Sequence, residues 1–186
     1  MFVRSLSLGV AAVALLVSGA QAADLIIPTT PQPIYEAAGF SWDGLYAGVN
    51  VGGAFYDGGD ARVTLGGAVG VNFLVSDPIL VGAEIRGDYY FENDDFLSAG
   101  EFLALGRVGA VVTDEVLVYA AAGVGTRFGD GFDSFGVYAL GGGVEVAVTD
   151  SVTVRGEVLG YGSFDDNNDD DFFTNAKATV GVFYHF

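Results

Sequence analysis

The chain has 186 residues, of which 29 are glycine, 24 are acidic and seven are basic, for a formal net charge of −17. Its mean hydropathy is nevertheless +0.45. Seven basic residues cannot neutralise a phosphate backbone, so nucleic-acid binding is excluded. With no cysteine and a single histidine, disulfide scaffolds, thiolate metal sites, thiol catalysis and histidine-based metal or Ser-His-Asp chemistry lack their residues. The length points to one domain.

Residues 1–22 read as a secretory signal. Arg4 is its positive start, Leu6 to Val17 its apolar run, and Ala20-Gln21-Ala22 a small-x-small cleavage site. The run is too short to span a bilayer as a helix, which takes about 20 residues. Residues 23–41, with Pro28, Pro31 and Pro33 among threonines and glutamine, read as an extended leader on the periplasmic side.

From Trp42 to Phe186 the apolar period is two, the period of strands. The first segment sets Leu45, Ala47, Val49, Val51 and Phe55 against Tyr46, Gly48, Asn50 and Gly52. The second sets Val63, Leu65, Val69, Val71 and Phe73 against Arg62, Thr64, Ala68, Gly70 and Asn72. The third sets Val81, Ala83, Ile85, Tyr89 and Phe91 against Glu84, Arg86, Asp88 and Tyr90. The fourth opposes Phe102, Ala104, Val108, Ala110 and Val112 to Glu101, Arg107 and Gly109. The fifth opposes Val118, Ala120, Ala122 and Val124 to Tyr119, Gly123, Gly125 and Arg127. The sixth opposes Tyr138, Leu140, Val144 and Val146 to Gly141, Gly143 and Glu145. The seventh opposes Val152, Val154 and Val158 to Arg155, Glu157 and Tyr161. The eighth opposes Ala176, Ala178, Val180, Val182, Tyr184 and Phe186 to Asn175, Lys177, Thr179, Gly181 and His185.

Short turns at 76–78, 113–115 and 149–151 alternate with longer polar loops near 57–60, 93–100, 129–134 and 165–171. Eight segments of this length, with short turns at one end and long loops at the other, predict an all-β fold: an eight-stranded antiparallel up-and-down transmembrane β-barrel. Every basic residue after the signal (Arg62, Arg86, Arg107, Arg127, Arg155, Lys177) falls on the polar phase. A charge facing lipid at mid-depth costs roughly 2–4 kcal/mol, so a barrel keeps them inside. The pattern alone does not separate a barrel from a soluble sandwich; the signal, the segment lengths and the C-terminus favour the barrel.

Phe40-Ser41-Trp42-Asp43-Gly44-Leu45-Tyr46-Ala47-Gly48-Val49-Asn50-Val51-Gly52-Gly53 resembles the opening strand of the OmpA-like outer-membrane β-barrel family of Gram-negative bacteria, in its branch of small major surface proteins. Gly142-Gly143-Val144-Glu145 with Val148 to Glu157 resembles that family's penultimate hairpin, and Val180 to Phe186 its closing strand. The resemblance implies an outer-membrane location after export. It also implies a signal for the barrel-assembly machinery at Val180, Val182, Tyr184 and Phe186. The run 165–171 is more acidic than the family demands. The family is functionally broad and fixes location and fold better than activity.

Three groups of residues are candidates for function. The first is an interior charge network of Glu84, Arg86, Arg107, Glu145, Arg155 and Glu157. Glu145 and Arg155 are equidistant from Asp150 and so form an expected cross-strand pair. The network is either a plug of paired charges or a gated ion path. The second is Asp165, Asp166, Asp169, Asp170 and Asp171, a weak candidate for calcium, lacking the spacing of an EF-hand loop. The third is the aromatics: Trp42, Tyr184 and Phe186 at the short-turn end, and Phe55, Tyr89, Phe91, Phe128 and Phe164 at the long-loop end, read as girdles at the membrane surfaces. His185 has no nearby nucleophile, and no enzyme is expected. The expected function is a structural outer-membrane barrel that supports the envelope and presents acidic loops. A narrow porin-like channel and an adhesion or receptor surface are the alternatives. No cofactor is implied. The expected partners are membrane lipids, lipopolysaccharide and the assembly machinery, with a monomer as the expected state. Thirteen acids, Glu101 among them, are assigned to the long-loop rim.

Overall fold

The computed structural model describes residues 40–56, 61–92, 95–129, 132–164 and 175–186. The expected signal (1–22), nearly all of the expected leader (23–41) and the aspartate run 165–171 lie outside these residues. Eight strands follow in chain order: β1 (Gly44–Tyr56), β2 (Ala61–Ser76), β3 (Ile79–Glu92), β4 (Asp95–Thr113), β5 (Val116–Gly129), β6 (Phe132–Ala147), β7 (Val152–Ser163) and β8 (Asn175–His185). Each pairs antiparallel with its neighbours, and β1 closes on β8, so the sheet is a closed barrel. Closure leaves no unpaired strand edge, as lipid requires.

The stagger can be followed pair by pair. From Tyr46 the register runs through Gly70, Glu84, Leu105, Gly123, Ala139, Tyr161 and Asn175, and returns to β1 at Tyr56, ten residues further along. For eight strands this stagger tilts them by about 40° to the barrel axis. The resulting lumen is one that side chains fill.

The period-two pattern maps onto the two walls as expected. Leu45, Val49, Val63, Val69, Ile85, Val108, Val124, Leu140, Val158, Val180 and Tyr184 are exposed on the outside, while Tyr46, Glu84, Arg107, Glu145, Arg155 and Lys177 are buried inside. An apolar exterior this extensive would aggregate in water; in a bilayer it is the solvated face.

Three expectations change. The loops expected at 93–100 and 129–134 are mostly strand, because β4 starts at Asp95 and β6 at Phe132. Polarity does not alternate along these two segments, so they carry no strand period in the sequence although the hydrogen-bond ladder continues. Trp42 is not part of an outer girdle. It is 5% exposed and packs inside the barrel against Leu80 and Leu117, and its indole Nε1 donates to the carbonyl of Asp114 at 3.1 Å. Glu101, assigned to the acidic rim, is 1% exposed and lies inside.

Candidate functional site in the barrel lumen

Strand alternation aims every second side chain into the lumen. The tilt brings residues from distant strands to one level. Among the described residues the lumen holds five buried acids (Glu84, Asp88, Glu101, Glu145, Glu157) and five buried bases (Arg86, Arg107, Arg127, Arg155, Lys177). They sort into two networks, each with equal numbers of acids and bases.

The lower network, toward the short turns, contains the six residues singled out from the sequence. Glu145 stands opposite Arg155 in the β6–β7 register, with Arg155 Nε 2.9 Å from Glu145 Oε2. Arg155 Nη1 reaches Glu84 Oε2 at 2.6 Å, on the far wall. Arg86 donates to Glu84 Oε1 at 2.7 Å and to Glu157 Oε1 at 2.5 Å, and Arg107 donates to Glu145 Oε2 at 3.0 Å. Three carboxylates and three guanidiniums are thus linked through five strands, β3, β4, β6 and β7 directly and β1 through Tyr46. The planar fork of arginine makes such multiple bonding possible.

Two tyrosines that the sequence reading placed only on the polar phase complete this network. Tyr46 donates to Glu84 Oε2 at 2.7 Å and accepts from Arg107 Nη1 at 2.6 Å. Tyr119 donates to Glu157 Oε2 at 2.6 Å, and the Arg107 guanidinium lies 4.0 Å over its ring. Both rings lie across glycines. A Cβ at Gly70 would run into the Tyr46 hydroxyl, and one at Gly143 would sit 2.7 Å from the Tyr119 hydroxyl. Glycine here makes room for large interior side chains. Thr153 and His185 occupy the other oxygen of Glu145, at 2.6 and 3.1 Å.

The upper network, toward the long loops, was not assembled by sequence reading. Lys177 on β8 joins Asp88 on β3 (2.6 Å) to Glu101 on β4 (2.8 Å). Arg127 on β5 donates to Glu101 Oε2 at 2.6 Å, and Tyr90 donates to the same oxygen at 2.9 Å. The signal was present, since all four charges lie on the polar phase. Which of them meet depends on the ten-residue stagger, which hydropathy does not encode.

Between the networks the lumen is divided lengthwise. On the β4–β7 side Leu103, Leu105, Ala121, Ala139 and Leu159 form one apolar cluster, continuous with Leu117, Leu80 and Trp42 below. On the β1–β3 side the inward residues include Asn50, Thr64 and Asn72. Both amide atoms of Asn50 and of Asn72, the Thr64 hydroxyl and Asp88 Oδ1 are buried without a hydrogen-bond partner.

The sequence profile of the outer membrane protein beta-barrel domain family matches residues 10–186. The chain belongs to this outer-membrane β-barrel family. Its location is therefore the outer membrane, and its architecture that of an eight-stranded barrel of the OmpA-like kind. Solved structures agree on the fold. The N-terminal β-barrel domain of OprF from Pseudomonas aeruginosa is similar over 76% of this chain and 97% of its own, with 12% identity and a TM-score of 0.53. Ail, the attachment invasion locus protein of Yersinia pestis, is similar over 76% of this chain and 96% of its own, with 13% identity and a TM-score of 0.52. No curated protein sequence matches.

Proposed function

We propose that this barrel is a structural component of the outer membrane, supporting the envelope and presenting acidic loops outward. The observation that carries the reading is the neutrality of the two lumen networks. Each acid found inside is matched by a base within hydrogen-bond distance, and the apolar cluster fills the β4–β7 half. Such a lumen is organised to be filled rather than to pass a solute. Breaking one partner of a buried ion pair costs about 3–5 kcal/mol, so the cross-links also resist collapse or spreading of the barrel. Planar-bilayer recording on the refolded protein, with heat-modifiable gel migration as the check of folding, is expected to give a folded barrel without salt conductance. Steady unitary conductance would overturn the structural reading.

A narrow ion path is the second reading, favoured by the unpartnered Asn50, Thr64, Asn72 and Asp88 atoms along one wall. Buried amides and hydroxyls without partners cost about 1–3 kcal/mol each, and water is their ordinary remedy. The same recording separates the two readings. For the adhesion reading, a solved structure of Ail holds the heparin analogue sucrose octasulfate. This chain offers such a ligand little, since Arg62 is the one base at its long-loop end outside the upper network. We assign lipopolysaccharide and the barrel-assembly machinery as partners. With loops this acidic, contact with the phosphates of lipopolysaccharide would run through divalent cations. The closing-strand residues Val180, Val182, Tyr184 and Phe186 are all exposed on the outer wall, open to an assembly factor.

A further inference from the structure

The residues just before β1 do not hang away from the barrel. Trp42 is buried at the short-turn end, packed in the apolar cluster with Leu80 and Leu117. The Phe40 ring meets the Trp42 ring edge-on at 4.6 Å and the His185 ring at 4.8 Å. His185 in turn stacks on Tyr46 at 5.4 Å and lies 3.1 Å from Glu145 of the lower network. Two polar contacts tie the segment to different hairpins: Trp42 Nε1 donates to the Asp114 carbonyl in the β4–β5 turn at 3.1 Å, and the amide of Leu74 on β2 donates to Asp43 Oδ1 at 2.9 Å. The segment therefore reaches from the β1–β2 side to the β4–β5 side. It then turns into β1 at Gly44, whose φ of +123° is open to glycine and strained for other residues.

We propose that residues 40–43 are a strap that closes the short-turn mouth of the lumen, and that its release, with Gly44 as the hinge, admits water and small solutes to the lower network. The inference rests on the closed-lumen reading of the barrel. The strap is held by one indole, one carboxylate and aromatic contacts, with no ion pair across it among the described residues, whereas the network behind it is cross-linked by charge. It is the part of the lumen whose opening disturbs no buried charge pair.

The chain has no cysteine, so single introduced thiols report access without background. Thr153 is fully buried, with its Oγ1 3.4 Å from His185 Nε2, behind the strap; Asp150 is exposed in the turn outside it. In the refolded full-length mature barrel, a charged methanethiosulfonate is expected to label Thr153→Cys far more slowly than Asp150→Cys. Adding Trp42→Ala is expected to raise the Thr153→Cys rate by about tenfold or more, the scale of a local opening, and to leave the Asp150→Cys rate unchanged. Gly44→Ala, which strains the hinge without touching the lumen, is the second variant and is expected to act in the same direction; it decides the matter where Trp42→Ala does not fold. Trp42 is also the only tryptophan, and its emission in the folded wild type is expected to resist acrylamide quenching. Equal labelling of Thr153→Cys and Asp150→Cys in the wild type would overturn the strap. So would unchanged rates in both variants while heat-modifiable migration is kept, or free quenching of Trp42. Salt conductance by the wild type would sink the structural reading and leave this rate comparison standing.

Discussion

The two lumen networks solve the same problem with different means. The lower one spends three arginines on three glutamates, and its bonds run across the lumen in several directions: Arg155 alone joins β7 to β6 and to β3. The upper one has two acids and two bases, and the ammonium of Lys177 links β8 to β3 and β4. A guanidinium offers five donors in a rigid plane, an ammonium three on a flexible stem. The lower network therefore fixes the barrel's cross-section, and the upper one closes it near the loops with fewer constraints. Variants that remove one charge from each should separate them.

The largest effect is expected for Arg155→Met. It leaves Glu84 and Glu145 each short of a partner and removes the guanidinium that lies 3.7 Å over the Phe183 ring. Urea titration of the folded barrel in lipid vesicles should show a loss of about 3–5 kcal/mol. A loss under 1 kcal/mol would mean that the lower network does not hold the cross-section.

Next comes a change on the other side of the wall. Val158 is 58% exposed and outward, three strand positions from the buried Arg155 and so on the opposite face. Val158→Arg places a charge in lipid near mid-depth and should cost about 2–4 kcal/mol in the same titration. The pair of variants tests the assignment of faces: arginine is required at 155 and expelled at 158. A neutral Val158→Arg would contradict the membrane-facing side altogether.

Glu101→Gln should act more weakly. It removes the charge shared by Lys177 and Arg127 but leaves Asp88 on Lys177 and leaves an amide oxygen able to accept. The expected loss is about 1.5–3 kcal/mol, the scale of hydrogen bonds to charged groups. A loss equal to that of Arg155→Met would erase the distinction between the networks.

These contrasts also mark what the sequence makes legible. The faces are legible because lipid penalises charge, so Arg107, Arg155 and Lys177 must alternate with Val108, Val154 and Ala176. The Glu145–Arg155 pairing follows from a short turn, because register is local there. The upper network is not legible, because Asp88 and Lys177 meet only through closure and stagger, which are properties of the whole sheet. Leu103 and Leu105 are hidden for another reason. They alternate with outward Phe102 and Ala104, so both faces of β4 read as apolar and the inner cluster leaves no periodic signal. Trp42 misleads because aromatic residues near a strand end fit a membrane girdle as well as they fit a strap; only the contact with Asp114, 72 positions away, decides it.

The smallest effect sharpens the comparison from its charge balance. Asp88→Asn with Lys177→Met removes one acid and one base from the upper network together and leaves Glu101 with Arg127, still neutral. Replacing both members of a buried pair is often neutral or stabilising, because two desolvation costs vanish with one attraction. The double variant is expected to lie within about 1 kcal/mol of the wild type by urea titration, while Lys177→Met alone, which strands Asp88, should lose more than the double. That inversion, a double variant more stable than one of its singles, is the signature of a network kept for its balance. If the double variant instead lost as much as the sum of its singles, Lys177 would be acting through contacts other than Asp88. Its 2.8 Å bond to Glu101 would then be the first to examine, by adding Glu101→Gln to the cycle.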